Sequence, residues 1–399
     1  MIKRLKAFFN KEDFIYTSGD VDPFEFHKTF YFMLKAFRFG VVIAITILYF
    51  ISLLHGLDDF DISYITEAGT FFISLLYMLL ILSCTKRNLP QYRNLLETMK
   101  MDYFFVCNKG RKYRKKFFNN QLLTWKICLV VCALVTAVSV GMVTFAVIPL
   151  FYFLATNTDS TKQRPMPYPI WLHDVDISSS PRYEAVFSFC SIAILLYGYG
   201  YAFMIQTQVV WIRHITSKAD IIIWSLRDLL TGIHQARNYA EKEYFRKLMQ
   251  NRLSEIVIHH QSMYRLIDDY ASVYKKLLMF EQAFFGPIAC LCSYCTALNG
   301  KINGMFVIMF MGVIAVYFIN SYMCTYLSIK VKSVCDACWD IPFWQADKII
   351  RPYLVLIMQR SLRPLPLQAA GFEDISLQTF SKKMAAAYSY FNMLRQLNV

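Results

Sequence analysis

Six long apolar runs constrain this chain more than any other feature of its sequence. A helix needs about 20 residues to cross the hydrocarbon core of a bilayer, and most of these runs approach or exceed that length. They lie at residues 39–54, 68–84, 127–155, 185–212, 277–298 and 305–328. The 399 residues are 56% hydrophobic and only 18% charged, whereas soluble domains carry about 25% charged residues. The sequence therefore predicts an all-α, polytopic membrane protein.

A seventh stretch, residues 375–396, is long enough to span a bilayer but is unusually polar. At helical spacing, one of its faces is polar at the start and apolar at the end. That face carries Ser376, Thr379, Lys383, Ala386, Tyr390, Met393 and Leu397. Polar groups in a spanning helix generally face the bundle interior or a water-filled path rather than lipid. We therefore predict a pore-lining seventh helix, with an amphipathic tail helix of a soluble domain as the alternative.

The basic residues predict how such a bundle is oriented. Of the 42 Lys and Arg residues, 35 lie in residues 1–38, 85–126, 213–276 and 329–374, and four lie in the alternate connections. Because basic residues concentrate on the cytoplasmic side, the N-terminus is predicted to be cytoplasmic and the C-terminus extracellular. The same pattern explains the net charge of +14 without nucleic-acid binding.

The apolar runs and basic segments divide the chain into six parts. Apolar residues at helical spacing within 221–233, 253–278 and 349–358 predict a cytoplasmic helical anchor bundle, since the last of these is too short to span. The predicted parts are 1–38, a cytoplasmic N-terminal segment; 39–212, transmembrane helices one to four; 213–276, cytoplasmic helical extensions; 277–328, helices five and six; 329–374, a cytoplasmic anchor helix; and 375–399, the pore-lining helix and extracellular C-terminus.

The chemistry-bearing motifs of enzymes do not occur in this sequence. It has no phosphate-binding loop, nucleophile elbow or metalloprotease motif, so no cofactor, no metal site and no enzymatic activity are predicted. The 11 Cys residues lie mostly in apolar or predicted cytoplasmic segments, which does not indicate a disulfide framework.

Motifs in the last 60 residues resemble those of the insect odorant receptors. Those receptors typically end in Ser-Leu-x-Thr-Phe followed by Ala/Ser-Tyr-Ser-Tyr-Phe-x-x-Leu-Arg-Gln, which here are residues 376–380 and 387–396. Residues 358–364 resemble the family's Met-x-Arg-Ser-x-Arg/Lys-Pro element. Residues 167–171, Pro-Tyr-Pro-Ile-Trp, resemble its Pro-rich outer loop. The match extends over the whole topology.

Some positions depart from the family pattern. His173 replaces a frequent Pro, Lys382 and Lys383 stand where apolar or small residues are usual, and Ala385 replaces a common Lys. Residues 213–276 leave no room for the long cytoplasmic insertion of the odorant co-receptor, so the chain resembles a ligand-tuned subunit. The departures concern the electrostatics of the pore more than membership of the family.

The resemblance implies a subunit of a heterotetrameric, ligand-gated, non-selective cation channel. Its partners would be the odorant co-receptor, a small volatile odorant, permeant cations and the lipid bilayer. Its location would be the plasma membrane, in dendrites of olfactory sensory neurons. The alternatives are a metabotropic seven-helix chemoreceptor and a small-molecule transporter.

Ligand and gate positions follow from the orientation together with the resemblance. A volatile ligand needs an enclosed apolar and aromatic cavity with few polar groups, and the aromatic content weakly favours an aromatic ligand. The candidate ligand-binding residues in the outer halves of the spans are Phe71, Phe72, Leu75, Val138, Gly141, Phe145, Phe187, Cys190, Ile194, Tyr197, Met309, Phe310 and Val313. The predicted gate consists of Met393, Gln396 and Leu397, where an apolar ring could close a pore by dewetting.

Overall fold

Helices make up nearly all of the described chain in this computed structural model. The structure describes residues 25–156, 164, 166, 168–172, 177, 179–231, 239–297, 303–341, 350–363, 365, 367–369 and 373–397, with the backbone alone at 25–39, 89, 239–242, 297 and 397. The elements are α1 (Glu25–Asp58), α2 (Ile62–Arg87), α3 (Leu89–Asn108), α4 (Arg111–Thr156), α5 (Arg182–Arg227), α6 (Tyr239–Ala297), α7 (Gly304–Trp339), α8 (Ile350–Ser361), β1 (Gln368–Ala369), β2 (Glu373–Asp374) and α9 (Leu377–Leu397).

Six of these helices, α1, α2, α4, α5, α6 and α7, are long and apolar enough to cross a membrane. Each contains the described residues of one of the six apolar runs of the sequence. Helix α9 is not in this set because Ser, Thr, Gln and Lys residues interrupt its apolar face. Its assignment as a spanning helix therefore depends on its packing and on comparison with related folds.

Helix α3 was not predicted from the sequence, which indicated only a basic connection between the second and third apolar runs. It begins beside Pro90, which suits the first turn of a helix. Of its apolar side chains, Leu95 and Val106 are almost fully buried, whereas Leu96 and Met101 are exposed. So few core-facing positions give a weak helical pattern in the sequence, although they suffice to dock α3 on the bundle.

One end of the molecule is a solid helical bundle, here called the basic-end bundle. It consists of α3, α8 and the adjoining parts of α5 (208–226), α6 (245–278) and α7 (323–338). The α5 segment lies at its centre, with Trp211, Ile215 and Ile222 all at most 1% exposed. Helix α8 packs against α6 and α7 and buries an apolar stripe at helical spacing.

Charged side chains are also buried inside the basic-end bundle. The Nζ atom of Lys218 lies 2.8 Å from Oδ1 of Asp102 and donates a hydrogen bond of 2.7 Å to Ser262. His214 Nε2 lies 3.0 Å from the other Asp102 oxygen. Burial alone raises the pKa of Asp102, but the His214 and Lys218 contacts outweigh it and hold the pKa below its ordinary value. The carboxylate is therefore ionised and paired at neutral pH.

At the opposite end, the described part of the Pro-rich loop covers the bundle. Tyr168 and Ile170 are buried in the same core as α1, α2, α5 and α7. The backbone N–H of Trp171 donates to Oγ of Ser52 at 2.9 Å, and its ring stacks on His55 with centroids 4.1 Å apart. The loop thus closes the apolar core at this end. His173 lies outside the described residues.

A candidate ligand cavity beside helix α9

A cavity of about 100 Å³ lies among six helices in the half of the molecule away from the basic-end bundle. Side chains of α1, α2, α4, α5, α6 and α7 line it, and most of the lining atoms are apolar. A single water needs only about 10–15 Å³, and an apolar cavity of about 150 Å³ in another protein binds benzene. The space therefore suits a ligand with a body of about one ring, given small movements of the side chains.

Two glycines bring the helices around the cavity close together. A Cβ atom added to Gly198 on α5 would lie 1.8 Å from Oγ of Ser139 on α4, and one added to Gly312 on α7 would lie 2.8 Å from Cγ1 of Val138. Both glycines line the cavity. Any larger residue at either position would push two helices apart, so these contacts fix the width of the cavity.

The end of the cavity nearest the basic-end bundle, here called the cavity base, is polar and aromatic. Glu281 on α6 is 6% exposed and contributes to the lining. Its Oε1 accepts a hydrogen bond of 2.5 Å from Nδ2 of Asn320. The hydroxyl of Tyr77 has no hydrogen-bond partner within the described part of the chain, and the hydroxyl of Tyr317 donates to Gln282.

Seven of the predicted ligand-binding residues line this one cavity. They are Phe71, Leu75, Val138, Ile194, Tyr197, Met309 and Val313. They come from α2, α4, α5 and α7, so positions chosen helix by helix from the sequence converge in space. Their role in binding a ligand stays a prediction.

The other six predicted residues lie outside the cavity lining. Gly141 faces α7, where an added Cβ would lie 2.9 Å from Ile308, and Phe145 lies against Gly304. The Phe187 ring packs near those of Tyr168 and Tyr183. The remaining three, Phe72, Cys190 and Phe310, pack in or against the apolar core around the cavity.

The residues of the cavity base were not predicted from the sequence. The candidates were confined to the outer halves of the spans, whereas the cavity extends farther along the same helical faces. One turn beyond Tyr197 is Tyr201, and one turn beyond Val313 is Tyr317, and both line the cavity. Continuing each face by four residues would have found them. Glu281 gave a different signal, since a carboxyl in an apolar span is itself a functional candidate.

Helix α9 packs one face against α6 and α7, directly behind the cavity. Ala387 is buried in a small core with Phe285, Ala289 and Tyr317, and Phe380 and Met384 pack against that core. The Phe285 and Tyr317 rings stack with centroids 3.8 Å apart, and the Tyr317 ring lies 5.6 Å from that of Phe380. Since Phe285 and Tyr317 also line the cavity, these two residues separate the cavity from α9.

The opposite face of α9 is exposed in the single chain. Tyr388, Tyr390 and Met393 are 66%, 58% and 52% exposed, and Gln396 is exposed as well. The side chain of Leu397 lies outside the described residues. Near the start of the helix, Nζ of Lys383 forms an ion pair of 3.1 Å with Glu373. This pairing draws one of the two unusual lysines toward the short β-hairpin.

Comparisons with known proteins agree with this architecture. The model of the family described as 7tm Odorant receptor matches residues 61–388. Odorant receptor Or2 of Anopheles gambiae is 22% identical over 239 residues, which cover 59% of this chain and 62% of Or2. Odorant receptor 85f of Drosophila melanogaster is 26% identical over 148 residues, 36% of this chain and 38% of that receptor. The matches thus span less than two thirds of these curated relatives.

Solved structures with a comparable fold include that of the insect olfactory receptor OR5 from Machilis hrabei. Its complex with eugenol superimposes with a TM-score of 0.71 at 17% identity, covering 99% of this chain and 97% of that chain. A second structure of OR5 gives the same TM-score at 16% identity. At this level of identity the likeness concerns the fold, and it confirms the all-α, seven-helix membrane architecture.

The fold and its long apolar helices define a multi-pass helical membrane protein. Because the family model matches most of its length, the chain belongs to the insect 7tm odorant receptor family. The resemblance seen in the last 60 residues is therefore confirmed, and the relatives are receptors rather than enzymes.

Proposed function

We propose that this chain is the ligand-tuned subunit of an odorant-gated, non-selective cation channel, assembled as a heterotetramer with the odorant co-receptor. A small volatile, with an aromatic one weakly favoured, binds in the cavity among α1, α2 and α4–α7. Helix α9 lines the pore. The N-terminus is cytoplasmic and the C-terminus extracellular, in the plasma membrane of olfactory neuron dendrites.

The observation that carries this proposal is the shared wall between the cavity and α9. A ligand that displaces Phe285 or Tyr317 acts on rings that pack toward Phe380, Met384 and Ala387 of α9. Packed interfaces change between discrete arrangements rather than deforming continuously. Occupancy of the cavity is therefore coupled to the position of α9, with no intermediate element between them.

The exposed face of α9 supports its role in the pore. A largely polar helix with Tyr388, Tyr390 and Met393 exposed in the single chain is suited to water and other subunits rather than to lipid. Met393 and Leu397, with Gln396 beside them, form the gate near the extracellular mouth. An apolar ring at this position closes the pore by dewetting and opens when the helices move apart.

Co-expression with the co-receptor in cells that lack odorant responses tests the channel. A panel of volatiles is expected to evoke cation current that persists when G-protein signalling is blocked. Met393→Ala should change leak current or ion selectivity, whereas the matched Met101→Ala, at an exposed position of α3, should leave both unchanged. Current that requires G-protein signalling, or a Met393→Ala channel identical to wild type, would contradict the proposal.

The shared wall is tested by Phe380→Ala. Loss of this ring removes a contact of α9 with Tyr317 but no residue of the cavity lining. Ligand binding to the purified protein should therefore persist while the evoked current falls.

An epitope at the N-terminus, detected only after permeabilisation, would support the orientation, and detection on intact cells would refute it.

A further inference from the structure

The cavity base holds a buried carboxyl group that the protein leaves only partly satisfied. Glu281 accepts a hydrogen bond from Asn320, and across the described residues no Lys, Arg or His forms an ion pair with it. Buried carboxylates are ordinarily paired or multiply hydrogen-bonded because their desolvation is costly. Asn320 itself is 1% exposed, and its Oδ1 has no hydrogen-bond partner in the described part of the chain.

The rings around the same base favour a cation. Tyr77, Tyr201 and Tyr317 line the cavity together with Glu281. The Tyr77 and Tyr201 rings meet edge to face with centroids 6.1 Å apart, and Tyr201 stacks with Tyr197 at 5.9 Å. Aromatic faces attract cations such as ammonium groups, most strongly when water is excluded. A carboxyl group that shares one cavity with three tyrosine rings is thus complementary to an ammonium group.

The remainder of the cavity sets the shape of the ligand. Toward the end of the bundle that the Pro-rich loop covers, the lining includes the uncharged side chains of Phe71, Leu75 and Met309. A ligand therefore needs an apolar body of about one ring, directed toward these residues. Its single polar group would lie at the base, where it reaches Glu281.

We infer that the receptor is tuned to small amines with an apolar body. Their ammonium group pairs with Glu281, and the hydrocarbon body fills the cavity. The ammonium supplies the missing counter-charge of the carboxylate and up to three N–H donors. This inference rests on the proposed function and specifies the ligand class of the same cavity. No bond is made or broken, so binding is reversible.

The test compares three probes of nearly equal size: benzylamine, benzyl alcohol and toluene. Binding is measured as the shift in Tm of the purified full-length chain, and activation as current in cells that co-express the co-receptor. Benzylamine should act at concentrations about tenfold or more below toluene, because a charge-assisted hydrogen bond adds affinity of that order. A wild-type receptor that responds to benzylamine no better than to toluene would overturn the inference without any variant.

Glu281→Gln then assigns the effect to the carboxyl group. This variant keeps an acceptor for Asn320 but removes the charge, so it should lose the preference for benzylamine over toluene. The matched Glu255→Gln, on the same helix but paired with Lys109 in the basic-end bundle, should keep the preference. An unchanged preference in Glu281→Gln would overturn the inference.

The two readouts separate this inference from the proposed function. A benzylamine-selective Tm shift without any evoked current would support the amine site and contradict the channel. Current evoked by toluene but not by benzylamine would support the channel and contradict the amine site.

Discussion

The same three helices, α5, α6 and α7, build two very different halves of this molecule. In the basic-end bundle they enclose Trp211 and Ile215 completely, and the buried Lys218 and Asp102 are paired. In the cavity half they line about 100 Å³ of space together with α1, α2 and α4, and Glu281 has no ion-pair partner among the described residues. The first half pairs its buried carboxylate with cations of its own, whereas the second contains a cavity beside a carboxyl group that has no such partner among the described residues. We therefore expect mutations in the basic-end bundle to lower stability, and mutations in the cavity half to change ligand preference as well.

The largest expected effect is that of Asp102→Ala in the basic-end bundle. Removing this carboxylate leaves the 2%-exposed Lys218 and the 1%-exposed His214 without their acidic partner. An uncompensated buried charge destabilises a protein by about 3–5 kcal/mol. The variant should show a large drop in Tm in detergent and little protein at the cell surface.

Two controls define the cause of that loss. Lys112→Met breaks the exposed pair with Asp228 and should change stability by less than about 1 kcal/mol. Asp102→Leu combined with Lys218→Met should recover much of the lost stability, because Lys218 then no longer leaves a buried charge without its partner. A double variant as unstable as Asp102→Ala would show that the pair does more than neutralise charge.

Gly198→Ala tests whether the helices around the cavity are in close contact at Gly198. The added methyl group would overlap Ser139, and such overpacking costs about 1–3 kcal/mol. Its matched control is Gly286→Ala, where an added Cβ meets nothing within 4 Å and helix propensity favours Ala. A lowered Tm with an altered ligand-size preference is expected only for Gly198→Ala; equal Tm values for both variants would refute the tight contact.

The sequence predicted the spans better than it predicted the site. Long apolar runs identified six helices because a spanning helix must satisfy its own backbone groups in lipid. Helix α3 was not predicted because only a few of its apolar residues, among them Leu95 and Val106, face the core. Within the site, Leu75 and Val313 were predicted to bind a ligand; both line the cavity, and their role in binding stays a prediction. Gly141 instead faces Ile308 of a neighbouring helix, because the rotation of each helix about its axis decides which residues face the cavity, and one sequence does not determine that rotation.

A matched pair of substitutions on α7 compares the packing of the two halves directly. Val331 is 1% exposed within the basic-end bundle, and Val316 is 3% exposed but lines the cavity. Val331→Ala should cost about 1.5–2 kcal/mol, from two lost methyl groups. Val316→Ala should cost about half as much, since one side of that valine already lacks neighbouring atoms. Equal decreases in Tm would show that the cavity half is packed as tightly as the basic-end bundle.

The smallest expected effect on stability is that of Glu373→Gln beside α9. Its ion pair with Lys383 is partly exposed on both sides, at 38% and 32%, and such pairs contribute less than about 1 kcal/mol. The Tm should therefore barely change. In the proposed channel, however, an unpaired Lys383 would be able to turn toward the cation path, so the variant should pass less cation current than wild type. Lys383→Gln should not reduce the current, because it removes the charge together with the pair. If Glu373→Gln left the current unchanged, Lys383 would lie too far from the path to affect it, and the pair would serve only to hold the start of α9 against the β-hairpin.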